Sequence, residues 1–266
     1  MKATLYDITG KKKTEIELPS FFSTAIREDL VMKALEAERF EKRQSYAAFA
    51  EAGKRHSASG TISHRRHEWK GHYGKGISRL PRKTMWRRGT QFYWIGAEVS
   101  NTRGGRRAHP PKGNARERKI NHKEQVVAFA SALAATATPS LITRRYTSLS
   151  SLSLSLPAVI EQLPIKTKDM RTVLITMFGS ALLPLIFKQR EVRAGRGKMR
   201  GRTYKKSAAL LFVTGNNEMF KQSNIEIKQS GKLQISDLYP LGRLTLYTEQ
   251  ALKELQTRLQ GGKHAA

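Results

Sequence analysis

Charge is distributed along this chain in a way that forbids most of its middle from forming a core. Residues 45–123 carry 19 lysines and arginines against 4 carboxylates, and residues 188–206 carry 9 against 1. Together these two stretches account for +23 of a net charge of +28. Burying an unpaired charge is costly, and here there are too few anions to pair with. Both stretches must therefore stay at a surface, and the core must come from the remainder. Charge focused in two blocks, rather than spread as a halo, points to a polyanionic partner.

The remainder reads as an α/β protein. Residues 2–8 and 14–18 alternate as strands around a GKKK turn. After Pro19, Ile26, Leu30, Val31, Ala34 and Leu35 recur at helical spacing, with Ser20 or Ser23 as candidate caps and a fade near Lys42. From Tyr46 to Lys119 neither period persists, and QFYWIGAEV (91–99) is the one apolar run. A structureless stretch of that length is expected only where a partner orders it. Helical pattern resumes in NHKEQVVAFASALAATA, with Val126, Val127, Ala130, Leu133, Ala134 and Ala137 on one face. Residues 45–120 are thus expected to form an extended loop inserted into a single domain of residues 1–266.

Downstream, strand and helix signals alternate. LSLSLPAVI (152–160) reads as a strand, and KDMRTVLITMF as a helix with Met170, Val173, Leu174, Met177 and Phe178 on one stripe. LLPLIF is a candidate strand weakened by Pro184. AALLFVTG (208–215), IEIK and RLTLYT (243–248) read as strands, and TEQALKELQTRLQG as a last helix from Thr248 to Gly261. This alternation predicts a mostly parallel open sheet with helices on its faces.

Several function classes find no support. Cysteine is absent, which removes disulfides, thiolate catalysis and Cys-ligated metals. MKATLYDITG has no apolar core of a secretory signal, and the run Val173–Phe187 is shorter than the roughly 20 residues of a membrane helix. RAGRGKMRGRTYKK (193–206) is superficially nucleotide-like, but Gly201 comes one residue late for G-x-G-x-x-G, and Met199 stands where a Walker loop needs Ser or Thr. His64, His67 and His72 sit beside Arg65 and Arg66, which repel a dication, so no metal is expected. In residues 45–123 the carboxylates Glu51, Glu68, Glu98 and Glu117 are too scattered for a magnesium-dependent nuclease. No enzyme and no cofactor are expected.

Aromatic residues within the basic stretch sharpen the reading. All three tryptophans, Trp69, Trp86 and Trp94, lie there, with Tyr46, Tyr73, Phe92 and Tyr93. A small satellite core is one reading for Phe92–Ile95. For Trp69 and Trp86, in KGHYGKG-like and RKTMWRRG surroundings, stacking on unpaired bases is favoured, with guanidinium groups gripping phosphates. The candidate RNA-binding residues on the outward run are Lys54, Arg55, Arg65, Arg66, Trp69 and Lys70. Lys83, Trp86, Arg87 and Arg88 follow, then Arg103, Arg106, Arg107, His109 and Lys112. In the second block they are Arg193, Arg196, Lys198, Arg200, Arg202, Tyr204, Lys205 and Lys206. An RNA-processing enzyme and a nonspecific nucleic-acid-packaging protein are the competing readings.

GGRRAHPPK (104–112), NHKEQVVAFASALAATA, RAGRGKMRGRTYKK and GRLTLYTEQAL (242–252), in that order, closely resemble the family of large ribosomal subunit protein four of the archaeal and eukaryotic type. ATLYDITG and ELPSFFSTAIREDLV resemble its N-terminus. The resemblance implies a three-layer α/β/α domain, a structural role in a cytoplasmic ribosome, and a long loop that runs through ribosomal RNA to the nascent-peptide exit tunnel. By position, the loop tip would comprise Tyr73, Gly74, Lys75, Gly76, Arg79 and Arg82. The implied partners are large-subunit ribosomal RNA, neighbouring ribosomal proteins and, transiently, the nascent polypeptide, with no membrane.

Overall fold

The computed structural model describes residues 1–58, 62, 64–68, 71–113, 118–146, 155–187, 191–205, 209–218, 220 and 225–264. The chain forms two compact units, Met1–Lys42 with Glu117–Ala266, and Arg43–Arg116. In the first unit, β1 (Lys2–Tyr6) and β2 (Lys12–Glu17) form an antiparallel pair. Ser20–Ser23 is a short 3-10 turn that buries Phe21 and Phe22, and α1 (Glu28–Glu41) follows. Neither Ser20 nor Ser23 caps α1. Its N-cap position is Arg27, whose amide donates to Ser131 Oγ at 2.6 Å, so tertiary contact replaces the local cap.

Between α1 and the next helix of this unit lies the second unit, which contains the hairpin β3 (Arg82–Arg88) and β4 (Gln91–Gly96). The first unit resumes with α2 (His122–Ala134), capped by the Asn121 side chain accepting from the Lys123 amide. A turn at Ala135–Ala137 leads to α3 (Pro139–Arg145). Then come β5 (Ala158–Ile160), α4 (Thr167–Phe178), α5 (Leu183–Ile186), β6 (Leu211–Thr214) and β7 (Glu226–Gln229). The last elements are α6 (Ile235–Leu238), β8 (Thr245–Thr248) and α7 (Glu249–His264). Among the described residues no single helix is long and apolar enough to cross a membrane.

The six-stranded sheet has the order β2-β1-β5-β8-β6-β7, parallel throughout except for the β1–β2 edge. A strand's side chains alternate between faces, and here each face meets a separate apolar layer. Ala3, Leu5, Val159, Leu211, Val213 and Tyr247 join α1, α2, α6 and α7 in one core. Tyr6, Ala158, Ile160, Phe212 and Leu246 join α4, α5 and Ile142 in the other. The result is the expected three-layer α/β/α arrangement. Central parallel strands buried on both faces explain the continuous apolar runs in the sequence. On the edge strand β2, by contrast, the lysines and glutamates face solvent, which protects an open edge.

Several polar groups inside this unit link its elements. Arg243, buried, donates to Glu226 at 2.7 Å and to the Asp237 and Ala209 carbonyls, joining β7, α6 and the approach to β6. The Glu38 carboxylate accepts from the Ile235 and Ser236 amides, both at 3.0 Å, tying α1 to the start of α6. Tyr247 packs edge-on against Phe22, and its hydroxyl lies 2.9 Å from Thr136 Oγ1.

Several local expectations need correction. LLPLIF is helical, because Pro184 falls in the first turn of α5, where its fixed φ is favourable and its missing N–H costs nothing. The strand expected over 152–160 begins only at Ala158, after Pro157, and residues 152–154 lie outside those described. Val127 is exposed, and Ala128, Phe129 and Ala132 face inward, because α2 packs against both α1 and α7. α7 runs past Gly261 to His264, with Thr248 Oγ1 accepting from the Ala251 amide at its start.

Phe212 is fully buried between β6's neighbours and the α4–α5 layer. Phe212→Ala should cost about 3–5 kcal/mol of stability in urea denaturation. Tyr247→Phe should cost about 1 kcal/mol, because Thr136 keeps its bond to the Leu133 carbonyl.

Candidate nucleic-acid interface

The Arg43–Arg116 unit is not a featureless loop. β3 and β4 pair antiparallel from Arg82↔Gly96 to Arg88↔Gln91, with a bulge between Thr84 and Trp86. Gly89 and Thr90 make the turn, and Gly89 has φ +58°. Glycine in the first of two turn positions suits the right-handed twist of a hairpin. The basic run therefore contains an ordered ribbon that charge alone would not suggest. Its sequence signal is the Gly-Thr pair between TMWRR and QFYWI.

The hairpin divides its aromatic residues between two roles. Trp86 and Tyr93 are cross-strand partners and are 50% and 69% exposed. Trp94 instead packs on buried His72 at 5.4 Å between ring centroids, while the Arg82 guanidinium lies 5.3 Å from the Trp94 ring. Buried Ala97 is close by in the chain, and this packing of Trp94 accords with the satellite-core reading of Phe92–Ile95. Trp86 and Tyr93 present flat apolar faces outward among Arg87 and Arg88, both exposed. Arg87 Nε donates to the Gly89 carbonyl at 3.0 Å, which aims it along the turn.

A second turn spans residues 73–76, with Gly74 and Gly76 at positive φ. His64 Nδ1 lies 2.9 Å from the Tyr73 hydroxyl, and the Arg79 guanidinium sits 4.3 Å from the Tyr73 ring centroid. Arg65 pairs with Glu68 at 2.6 Å, and Lys75 reaches the Glu68 carbonyl. Arg66 packs its stem beside Gly74. Trp69 and Lys70 lie outside the described residues.

Residues on either side of these turns form a stem. Gly53, at φ +78°, lies so close to Gly105 that a Cβ built on it would be 2.4 Å from the Gly105 carbonyl oxygen. Ala47 and Gly113 touch as closely at the other end. Between the two contacts the arms part around an open cleft of about 210 Å³, lined by Ala48, Phe49, Ala50, Ala52, Lys54, Arg106, Arg107, Pro110 and Pro111. Lys54, Arg55, Arg103, Arg106, Arg107, His109 and Lys112 are exposed around this stem, and Lys83 Nζ approaches Gly104. The diglycine thus serves first to let two backbones meet.

The second basic segment belongs to the other unit. Val192 and Tyr204 bridge antiparallel, and the Arg193 and Lys205 amides donate to the Thr203 and Glu191 carbonyls at 2.9 Å. A 3-10 turn at Arg196–Met199 closes this short ribbon, leaving Arg196, Lys198, Arg200 and Arg202 exposed at its end without a carboxylate partner among the described residues. Tyr204 is half exposed, Lys205 pairs with Glu191 at 3.2 Å, and Lys206 lies outside the described residues. Buried polar atoms without a partner among the described residues are His56 Nε2, both His72 ring nitrogens, Arg82 Nη1 and Arg193 Nε in the two basic segments, and Thr214 Oγ1 and Thr245 Oγ1 in the sheet.

Open parallel sheets usually bind ligands outside the C-terminal ends of their strands. Here that edge is filled by the chain's own carboxylates. Glu218 accepts from the Gly215 amide at 2.9 Å and from Thr248 Oγ1 at 2.8 Å. Glu254 accepts from the Asn216 amide at 2.9 Å and from Ser230 Oγ. These donors are already committed, so a phosphate would have to displace an anion. Among the described residues, no three His, Cys, Asp or Glu side chains are grouped to hold a metal ion.

Comparison with known proteins gives a consistent picture. Residues 16–258 match the model of the Ribosomal protein L4/L1 family. A Nanoarchaeum equitans protein named large ribosomal subunit protein uL4 is 35% identical over 97% of this chain and 98% of its own length. Proteins of the same name from Haloquadratum walsbyi and Methanospirillum hungatei are 33% and 36% identical, over 97% and 96% of this chain and 100% and 98% of their own. These names are those of ribosomal proteins, in keeping with the expectation that the chain is not an enzyme.

The His72–Trp94 contact generates a pH prediction. Burial, aided by the Arg82 charge, holds the His72 imidazole below its ordinary value of 6.5. The unfolded chain therefore binds this proton more readily than the folded one. The contribution to stability is complete above pH 6.5 and is lost as pH falls through the lowered folded value. NMR of the full chain should show His72 titrating below 6.5 with Trp94 responding in step. His72→Phe should abolish the Trp94 response; titration of His72 at 6.5 would contradict the packing.

Proposed function

Because the chain belongs to the ribosomal protein L4/L1 family, we propose that it is a structural constituent of the large ribosomal subunit that binds and orders large-subunit ribosomal RNA. The observation that carries this reading is the concentration of positive charge in two exposed basic segments that display aromatic rings, while the rest of the packed α/β unit carries little net charge. The α/β unit acts as the anchor. Lysines and arginines of the stem, the hairpin and the 191–205 ribbon neutralise phosphates and release counterions. Trp86 and Tyr93 offer stacking faces to bases that are not in duplex.

In this reading the chain works at the ribosome in the cytoplasm, beside other large-subunit proteins. The long loop approaches the peptide exit tunnel with Tyr73, Lys75, Arg79 and Arg82 near its tip, touching the nascent polypeptide transiently. Expansion into an RNA-processing enzyme is disfavoured by the committed carboxylates at the sheet edge.

Two measurements test it. Hydroxyl-radical footprinting of large-subunit RNA should give discrete protections with the full chain. Deleting residues 54–104, whose flanks Gly53 and Gly105 already touch, should remove one set and leave those of the 191–205 ribbon. Diffuse protection that fades uniformly with salt would instead indicate nonspecific packaging. For the tip, a photocrosslinker at Lys75 or Arg79 should capture a stalled nascent chain in assembled ribosomes. Capture from Thr90 alone would move the tip to the β3–β4 turn.

A further inference from the structure

The geometry points to the cleft in the loop stem as a pocket for one unstacked nucleotide of RNA, its base between the two arms and its phosphate on the cationic rim. This rests on the RNA-binding reading above and goes beyond it in naming a subsite. The arms are pinched together at Ala47–Gly113 and at Gly53–Gly105, and the gap lies between those contacts. One wall presents Ala48, Ala50 and Ala52, every second residue, so small side chains leave the gap open. Opposite, Pro110 and Pro111 offer a wall without N–H donors. Both walls are apolar and neither supplies the ordered polar groups that a small metabolite would need.

Size and charge choose the occupant. At about 210 Å³ the cleft is smaller than the roughly 300–1,000 Å³ typical of sites for drug-sized molecules, and a single base is the apolar, planar group of suitable scale. Phe49, half exposed, stands at the cleft with the Arg55 guanidinium 4.3 Å from its ring centroid, a pairing of flat surfaces on which bases stack. Lys54, Arg106 and Arg107 rim the opening, and none has a carboxylate partner among the described residues. An apolar slot with a cationic edge matches a nucleotide, which is apolar on its faces and anionic at its phosphate. An apolar side chain from a neighbouring protein would leave that rim unused.

The test fills the cleft without changing charge. Ala50→Leu with Ala52→Leu alters two exposed positions. Large-subunit RNA bound to the full chain is probed with base-specific reagents and, in parallel, with hydroxyl radicals. With the native chain, at least one unpaired base should be protected. In the filled variant that protection should disappear and affinity should fall about tenfold. Its sugar–phosphate protections and its slope of log affinity against log salt should stay as in the native chain, since no cation is lost. Arg106→Gln should keep the base protection while lowering the salt slope by about one contact. Unchanged base protections and affinity in the filled variant would overturn the pocket while leaving RNA binding intact. So would a variant that binds RNA normally but fails to bind a neighbouring ribosomal protein. Absence of discrete protection with the native chain would overturn both readings.

Discussion

Burial of one sheet on both faces is the constraint from which the rest follows. In β6, Leu211 and Val213 turn to the α1–α2–α7 layer while Phe212 turns to the α4–α5 layer. A strand used this way leaves no face for solvent or ligand, and the helices are committed to covering it. The proposed RNA surface lies on chain that the sheet does not need. It is supplied where α1 ends at Glu41 and α2 begins at His122, two helices that pack on each other. Arg118 helps hold this junction, pairing with Glu36 and lying 5.2 Å from the Phe40 ring centroid.

How much of this was legible in the sequence depended on whether local pattern and tertiary context agreed. The stripe Met170, Val173, Leu174, Met177 and Phe178 is buried residue for residue, because α4 meets one layer on one side. The Val127 assignment failed because α2 has two neighbours and its face is wider than one stripe. LLPLIF reads as a strand weakened by Pro184, although the same ring favours a helix's first turn; six apolar residues carry no period that decides between them. At the candidate interface, the basic blocks and exposed Trp86 were visible as composition. The hairpin was hidden because arginines interrupt its alternation, and the stem was hidden because contact between Gly53 and Gly105 spans fifty residues. Trp69, Lys70 and Lys206 lie outside the described residues.

Aromatic and glycine residues in the basic unit carry two kinds of duty that sequence alone does not separate. Trp94 is spent on holding His72 and Arg82, whereas Trp86 and Tyr93 remain available on the hairpin surface. Gly105 is spent on a backbone contact, whereas Gly195 and Gly201 in the second ribbon have open space where a side chain would stand. The distinction follows from who the neighbour is. Rings and glycines facing other parts of the chain give the unit its form, and those facing nothing are the ones a phosphate or base can approach.

The contact between Gly53 and Gly105 has a consequence for how such a protein can change over time. Because the chain is gathered at that point, whatever lies beyond it behaves as a loop closed at its own base. Closure entropy grows only slowly with length, about 0.6 kcal/mol for each doubling. Residues can therefore be gained or lost beyond the constriction at small thermodynamic cost, with the sheet and its helices unaware of the difference. Reach becomes a quantity that selection can adjust independently of fold.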